Sequence, residues 1–364
     1  MVAIFFVISG YVLTHRFSTL VYQGKVESAL MSMSSATFRR FMRLYVPVLV
    51  FTAMQQVLLQ LGLFEHARTR YDGRRPFPPQ GETIWQQCLM FWDWWRDAVN
   101  PFTFDLHYND MFDGNIWTIP IEYRCSLVLF LVAIGIARVK TNLRLVFTFV
   151  VMVWAMNTLH WEIILFLIGY FLAQVDVLIE ARKDRPTLCK EVDEDTAWNK
   201  QLLWYPIMLL TIYFCSVPWH HEGGLGFQFI SNINPLPSFH IFNTWQTLGA
   251  TMLVVCTLHW SVFQTFLNWR PVQYLGHVSY SLYIVHGSLV RLMTYGLKWD
   301  IFELLKSWFQ VQPENEWITH YISVWMTFLL FFLPSLIVLT DMFWRGVDKP
   351  IVNMTRKVWD YCTT

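Results

Sequence analysis

Four polar side chains stand out because they lie inside or beside stretches too apolar for a water-soluble fold: Arg40, Arg43, Glu122 and His286. Arg40 and Arg43, in TFRRFMRLYVPV, are three residues apart and share one face of a helix. Two guanidiniums on one face, at a wet helix end, suit a phosphate or pyrophosphate. The same pair also suits a basic anchor among lipid headgroups. Glu122 and Arg124 lie within IWTIPIEYRCSLVLFL, beside the helix-kinking Pro120. A carboxylate inside an apolar helix is expensive, and it is kept for function or for an interhelical ion pair. Positions two apart point about 200° away from each other, so Glu122 and Arg124 require different partners. His286, in YLGHVSYSLYIVHGSLVRL, shares a helical stripe with Ser279 and Tyr283. Such a histidine either exchanges a proton near neutral pH or bonds a neighbouring helix.

The elements that must position these residues are membrane spans. The chain has 364 residues, of which 55% are hydrophobic and only 15% charged, against about 25% charged in soluble domains. A spanning helix needs about 20 apolar residues. Nine stretches fit: 2–21, 44–63, 116–137, 143–159, 160–179, 203–217, 243–263, 273–297 and 320–343. A polar turn around Asn157, His160 and Glu162 separates the fourth from the fifth. The runs are continuous rather than alternating, which disfavours a barrel reading. The expected fold is an all-α polytopic transmembrane bundle, a single membrane-embedded domain over 1–364 in the lipid bilayer. Counted on alternate loops, 18 Lys and Arg fall on one side and 7 on the other, which assigns the richer side, with the C-terminus, to the cytosol. The loop over 180–202 is then cytosolic, and 64–115 extracytosolic. Within the latter, ETIWQQCLMFWDWWRDAVNPFTF (82–104) mixes Trp with Asp93, Arg96 and Asp97. It reads as an interfacial helix or lid, or as a loop packed by tryptophans.

The net charge of +1 gives no reason to expect a nucleic-acid partner, and six singly placed cysteines without a CxxC pair suggest neither a zinc site nor a disulfide framework. No metal is expected. His15, His107, His160, His220, His221, His240 and His277 fall at loops or helix ends and read mostly as surface residues. Intramembrane Glu, Arg and His also mark transport pathways, but no paired Gly/Pro-broken spans relate two halves of the chain. A solute transporter and an inactive membrane scaffold are the rival readings.

Three segments together resemble the acyltransferase-3 family of integral-membrane acyltransferases: FFVISGYVLT (5–14), the arginine pair before LYVP (40–47) and LGHVSYSLYIVHG (275–287). WTIPIEYRCSLVLF (117–130), NPF (100–102) and DMFWRGVDKP (341–350) resemble its fungal branch, and the likeness runs from residue 3 to about 358. The resemblance implies transfer of an acyl group, commonly acetyl, from a coenzyme-A thioester (acetyl-CoA) to a hydroxyl of a carbohydrate or secondary metabolite. It implies that Arg40 and Arg43 handle the donor, and that Glu122 of the Trp117-to-Glu122 motif and His286 line the cavity. It also implies a preceding helix, about a tenth span, carrying an arginine and the histidine regarded as the family's catalytic base. The first span begins at residue 2 with no cytosolic head, which agrees with that expectation.

The cytosolic placement of the C-terminus predicts that the sequon at Asn353 stays unmodified and that a reporter after Thr364 is protected from external reagents. Glycosylation at Asn353 would reverse the orientation.

Overall fold

The computed structural model describes residues 2–70, 77–100, 114–157, 160–183, 201–218, 226–231, 233, 241–310 and 312–363. His107, His220, His221, His240, Pro101 and Phe102 of NPF, and the centre of the 180–202 loop lie outside them. Among the described residues there is no strand, and the five described cysteines are free.

The helices are α1 (Val2–Tyr22), α2 (Val26–Gln60), α3 (Glu65–Thr69), α4 (Ile84–Val99), α5 (Thr118–Gly135), α6 (Thr141–Asn157), α7 (Trp161–Lys183), α8 (Trp204–Cys215), α9 (Gln228–Ser231), α10 (Ile241–His259), α11 (Ser261–Leu267), α12 (Arg270–Leu292), α13 (Lys298–Phe309), α14 (Glu316–Met326), α15 (Leu333–Phe343) and α16 (Lys349–Thr363). Wider π turns at Met293–Leu297, Thr327–Phe332 and Trp344–Asp348 join α12 to α13, α14 to α15 and α15 to α16. Five of the described helical stretches are long and apolar enough to cross a membrane: α1, α2, α5, Trp161–Arg182 and Pro313–Thr363. A sixth forms if α10 and α11, bent by 91°, count together.

The other expected spans differ for physical reasons. The stretches over 143–159 and 203–217 form helices of only 17 and 12 residues. The stretch over 273–297 forms the 23-residue α12, whose polar stripe keeps it out of the apolar class.

The chain divides into two compact units, one of Met1–Thr37 with Arg124–Val272 and one of Phe38–Tyr123 with Gln273–Thr364. In the first unit, α1 and α7 lie side by side and run in the same direction. Phe6 meets Phe166 at 5.5 Å between ring centroids, and further along His15 meets Asp176. Small residues allow this approach: a Cβ on Gly10 would lie 2.2 Å from the carbonyl oxygen of Phe166, and one on Gly169 would lie 2.2 Å from that of Val7. The hairpin of α6 and α7 is tied by Gln174 donating to Thr148 at 2.9 Å. That of α8 and α10 is tied by Gln246 donating to the Cys215 carbonyl at 2.8 Å.

The second unit holds every residue singled out as a site candidate. Its core joins Tyr45 and Val48 of α2, Trp94 and Ala98 of α4, Ile119 of α5, Ile284 and Val285 of α12, and Phe343 of α15. Tyr280 bonds the Leu44 carbonyl, and further along Gln55 bonds Ser288, so α2 and α12 run the same way. The Trp-rich segment forms α4, started by a Thr83 cap on the Gln86 amide. It lies lengthwise along α2 in the opposite direction. Gln60 bonds Gln87 near the start of α4, and Tyr45 bonds the Ala98 carbonyl at its end. Trp94 and Ala98 are thereby buried, while Trp85 and Trp92 face outward.

Substituting Gly169 by Ala should force α1 from α7 and cost about 1–3 kcal/mol, as other overpacked contacts do. Gly135→Ala, whose Cβ would meet nothing within 4 Å, should be neutral or mildly stabilising. Thermal unfolding in detergent distinguishes the two, and equal midpoints would refute the close approach.

Candidate active site

The arginine pair of α2 divides its duties. Arg43 is half-buried, and α2 runs unbroken from Val26 to Gln60, so the pair sits midway along a helix rather than at the helix end that the sequence suggested. Arg40 is not: its side chain is 13% exposed, and its Nη2 donates to Glu122 Oε1 at 2.6 Å, where the Glu122 side chain is 3% exposed. The expectation of two equivalent solvent-facing guanidiniums therefore fails at Arg40. The reason is that α5 brings its buried carboxylate against that face of α2. Glu122 has found its partner 82 positions away in sequence. Arg124, which belongs with Glu162 to the first unit, is buried and stands within electrostatic reach of that buried carboxylate. The spacing argument that these two neighbours need separate partners thus holds.

One turn earlier on α5, the Thr118 hydroxyl lies 2.6 Å from the Tyr283 hydroxyl. Tyr283 also donates to the Asn115 carbonyl, so the phenol is held from two sides by the entry to α5. Tyr280, one turn before it on α12, donates at 2.5 Å to the Leu44 carbonyl, close to Pro47, which interrupts the amide ladder of α2. Two tyrosines therefore lock α12 to α2 and α5.

His286 follows one turn after Tyr283 and is half-buried, with ring centroids 5.7 Å apart. Its Nδ1 lies 2.5 Å from the Tyr283 carbonyl and 3.2 Å from that of Leu282. Carbonyls only accept, so this nitrogen carries the proton. In the neutral ring Nε2 is then an open acceptor. Ser279, expected on the same stripe, instead lies in the exposed early part of α12 and bonds the Gly276 carbonyl.

Asp348 went unrecognised in the sequence. It is 6% exposed and accepts from Ser281 of α12 at 3.2 Å, within electrostatic reach of Arg43. The buried stripe of this last arm runs Leu336, Thr340, Phe343, Asp348, Ile351 and Thr355. Its steps are three or four residues except across Trp344–Asp348, where the π turn inserts one more. Ordinary helical periodicity turns Asp348 away from that stripe. His15 was likewise read as a surface residue. It lies 3.8 Å from Asp176, which also accepts from Tyr11 at 2.5 Å, and with Glu180 these form the one such group of His and carboxylate side chains among the described residues.

A pocket of about 420 Å³ opens between α2, α12 and α15. Phe51, Leu58, Val285, Leu289 and Phe343 line it, and the bonded pair of Gln55 and Ser288 is its polar feature.

Comparison with known proteins decides among the functional classes. The family model for the acyltransferase-3 domain matches residues 1–344. The chain belongs to the acyltransferase-3 family. O-acetyltransferase PaAT-1 of Phomopsis amygdali is 26% identical over 378 residues, covering 99% of this chain and 73% of that protein. Acyltransferase R4 of a Phoma species is 24% identical, covering 79% of this chain and 67% of its own length. Acyltransferase clz18 of Cochliobolus lunatus is 23% identical, with the same two shares. No solved structure matches the chain. Family and relatives make this protein an acyltransferase rather than a transporter or an inert scaffold, and its apolar helices fit a membrane protein.

The two arginines should separate experimentally. Arg40→Gln leaves Glu122 buried without its partner, a change that costs about 3–5 kcal/mol. Arg43→Gln, at a half-buried position, should stay within about 0.5 kcal/mol of the wild type. Unfolding in detergent measures both, and equal losses would contradict the division of roles.

Proposed function

We propose that this protein is a multi-pass O-acyltransferase that moves an acetyl group from cytosolic acetyl-CoA to a hydroxyl of a carbohydrate or secondary metabolite. One observation carries this reading: Arg40, Arg43, Glu122 and His286 belong to one unit, in which Arg40 pairs with Glu122 and Tyr280 and Tyr283 tie the helix of His286 to α2 and α5. The basic-residue bias and the shared direction of α2 and α12 support a topology in which the arginines open to the cytosol.

Arg43 receives the phosphates of the donor, because its charge is partly accessible midway along α2. Arg40 is oriented by Glu122 and still carries a buried Nε–H without a partner, which leaves it a donor for a ligand. Glu122 is then a positioning residue rather than a base, since its charge is engaged by Arg40. His286, rather than the histidine that the resemblance puts on a preceding helix, is the proton acceptor in this reading. Its Nδ1–H is tied to the main chain, and its Nε2 takes the proton of the acceptor hydroxyl as that oxygen attacks the thioester carbonyl. The carbon–sulfur bond breaks, and the thiolate leaves with a proton. From Tyr280 to His286 the helix rises about 9 Å, a distance that the pantetheine arm of the donor can cross. The apolar pocket beside Val285 and Ser288 suits the ring system of a secondary metabolite better than a bare sugar.

Membranes holding the protein should pass label from acetyl-CoA to an extractable hydroxyl compound. His286→Ala should lower turnover about 10²–10⁴-fold while the protein stays membrane-inserted. Label transfer at near-normal rate by that variant would reduce His286 to a structural residue, and no transfer by the wild type across hydroxyl acceptors would reject the donor reading.

A further inference from the structure

The first unit buries a cation with no counter-charge. Arg144, in the first turn of α6, is 3% exposed. The one hydrogen bond of its guanidinium is a long contact of 3.5 Å from Nη2 to Thr141 Oγ1, and its Nε has no partner. No described carboxylate forms an ion pair with it. Beside it, within electrostatic reach, is the fully buried Tyr170 of α7, whose hydroxyl also has no hydrogen-bond partner. An ion taken out of water without compensation is strongly unfavourable, and a buried phenol normally bonds something.

The position of this cation gives its meaning. The contact to Thr141 folds the guanidinium back over the first residue of the 17-residue α6. A helix start presents amide N–H groups that lack intrahelical partners, and the helix dipole adds positive potential there. Arg138 and Lys140, both exposed, stand in the preceding loop. From Leu143 onward, the outer face of α6 exposes Leu143, Val146, Phe147 and Val150, an apolar surface suited to lipid.

We propose that the start of α6 is an anion-binding site for a phosphate group, with the Arg144 guanidinium, the Tyr170 hydroxyl and the first amides of α6 as donors. It is separate from the Arg40 and Arg43 reading and does not depend on it. The phosphate is that of a phospholipid headgroup or of a soluble phosphate compound, and the two sources are separable by experiment.

The test uses the full chain, purified in neutral detergent and stripped of lipid. Its thermal midpoint is compared with that of Arg144→Met, without phosphate, with dioleoyl phosphatidic acid in the micelles, and with inorganic phosphate at matched ionic strength. Without phosphate the variant should be at least as stable as the wild type, because it removes an uncompensated charge. A bound phosphate should raise the wild-type midpoint by about 2–4 °C, and this rise should vanish in Arg144→Met and shrink in Tyr170→Phe. A rise with phosphatidic acid alone identifies a lipid, and a rise with inorganic phosphate as well identifies a soluble group. Equal responses of wild type and Arg144→Met, or no response in either, would overturn the site. So would an Arg144→Met protein less stable than wild type in the absence of phosphate, which would mark the arginine as a hydrated structural residue.

Discussion

The ion pair between Arg40 and Glu122 is the constraint on which the site in the second unit depends. A carboxylate as buried as Glu122 is tolerated only when a cation reaches it with good geometry, and Arg40 does so at 2.6 Å. The pair fixes the rotation of α5 against α2. That rotation brings Thr118 against Tyr283 one turn away, and Tyr283 in turn stands one turn before His286. A polar set along one helix would not by itself make a site. Here Glu122 is held by Arg40 of α2 and Tyr283 by the entry to α5, while His286 bonds carbonyls of its own helix, so the half-buried Arg43 and the open nitrogen of His286 stand on helices that are tied to one another.

The same logic explains why buried polar atoms are concentrated where they are. Gln55 meets Ser288, Ser281 meets Asp348, and Gln60 meets Gln87. Each bond joins two helices whose intervening surface is otherwise apolar. In an apolar medium there is little hydrophobic drive between helices, and side-chain hydrogen bonds and close packing of small residues set their register. The first unit uses the second device at Gly10 and Gly169, and the second unit relies on the first. Arg144 departs from this among the buried charges, because no described carboxylate pairs with it.

Much of the all-α character was legible, because long continuous apolar runs are a strong signal. The pairing of Arg40 with Glu122 was not, since no local spacing encodes a contact between helices so far apart in the chain. Asp348 was hidden for a different reason: the π turn over Trp344–Asp348 shifts the helical phase by one residue, and the buried stripe cannot be followed through it by counting. The 82–104 segment shows a third kind of difficulty. Its tryptophans suit both a headgroup layer and a packed helix, and the polar contacts of Gln87, scattered over α2 and the segment before α4, decide where that helix lies. The span count differs where polar residues or short lengths dilute hydropathy, as in α12 and α8.

The most direct test of this account is a charge exchange at the central pair. Arg40→Glu alone and Glu122→Arg alone each place two like charges in a buried contact, and each should abolish stable folding in detergent. The double variant carrying both changes restores an opposite-charge pair in the same place, and its unfolding midpoint should recover most of the loss. If the double variant is as unstable as the two single losses added together, the Arg40–Glu122 contact is not what holds α2 and α5 in register, and the site must be organised by something else.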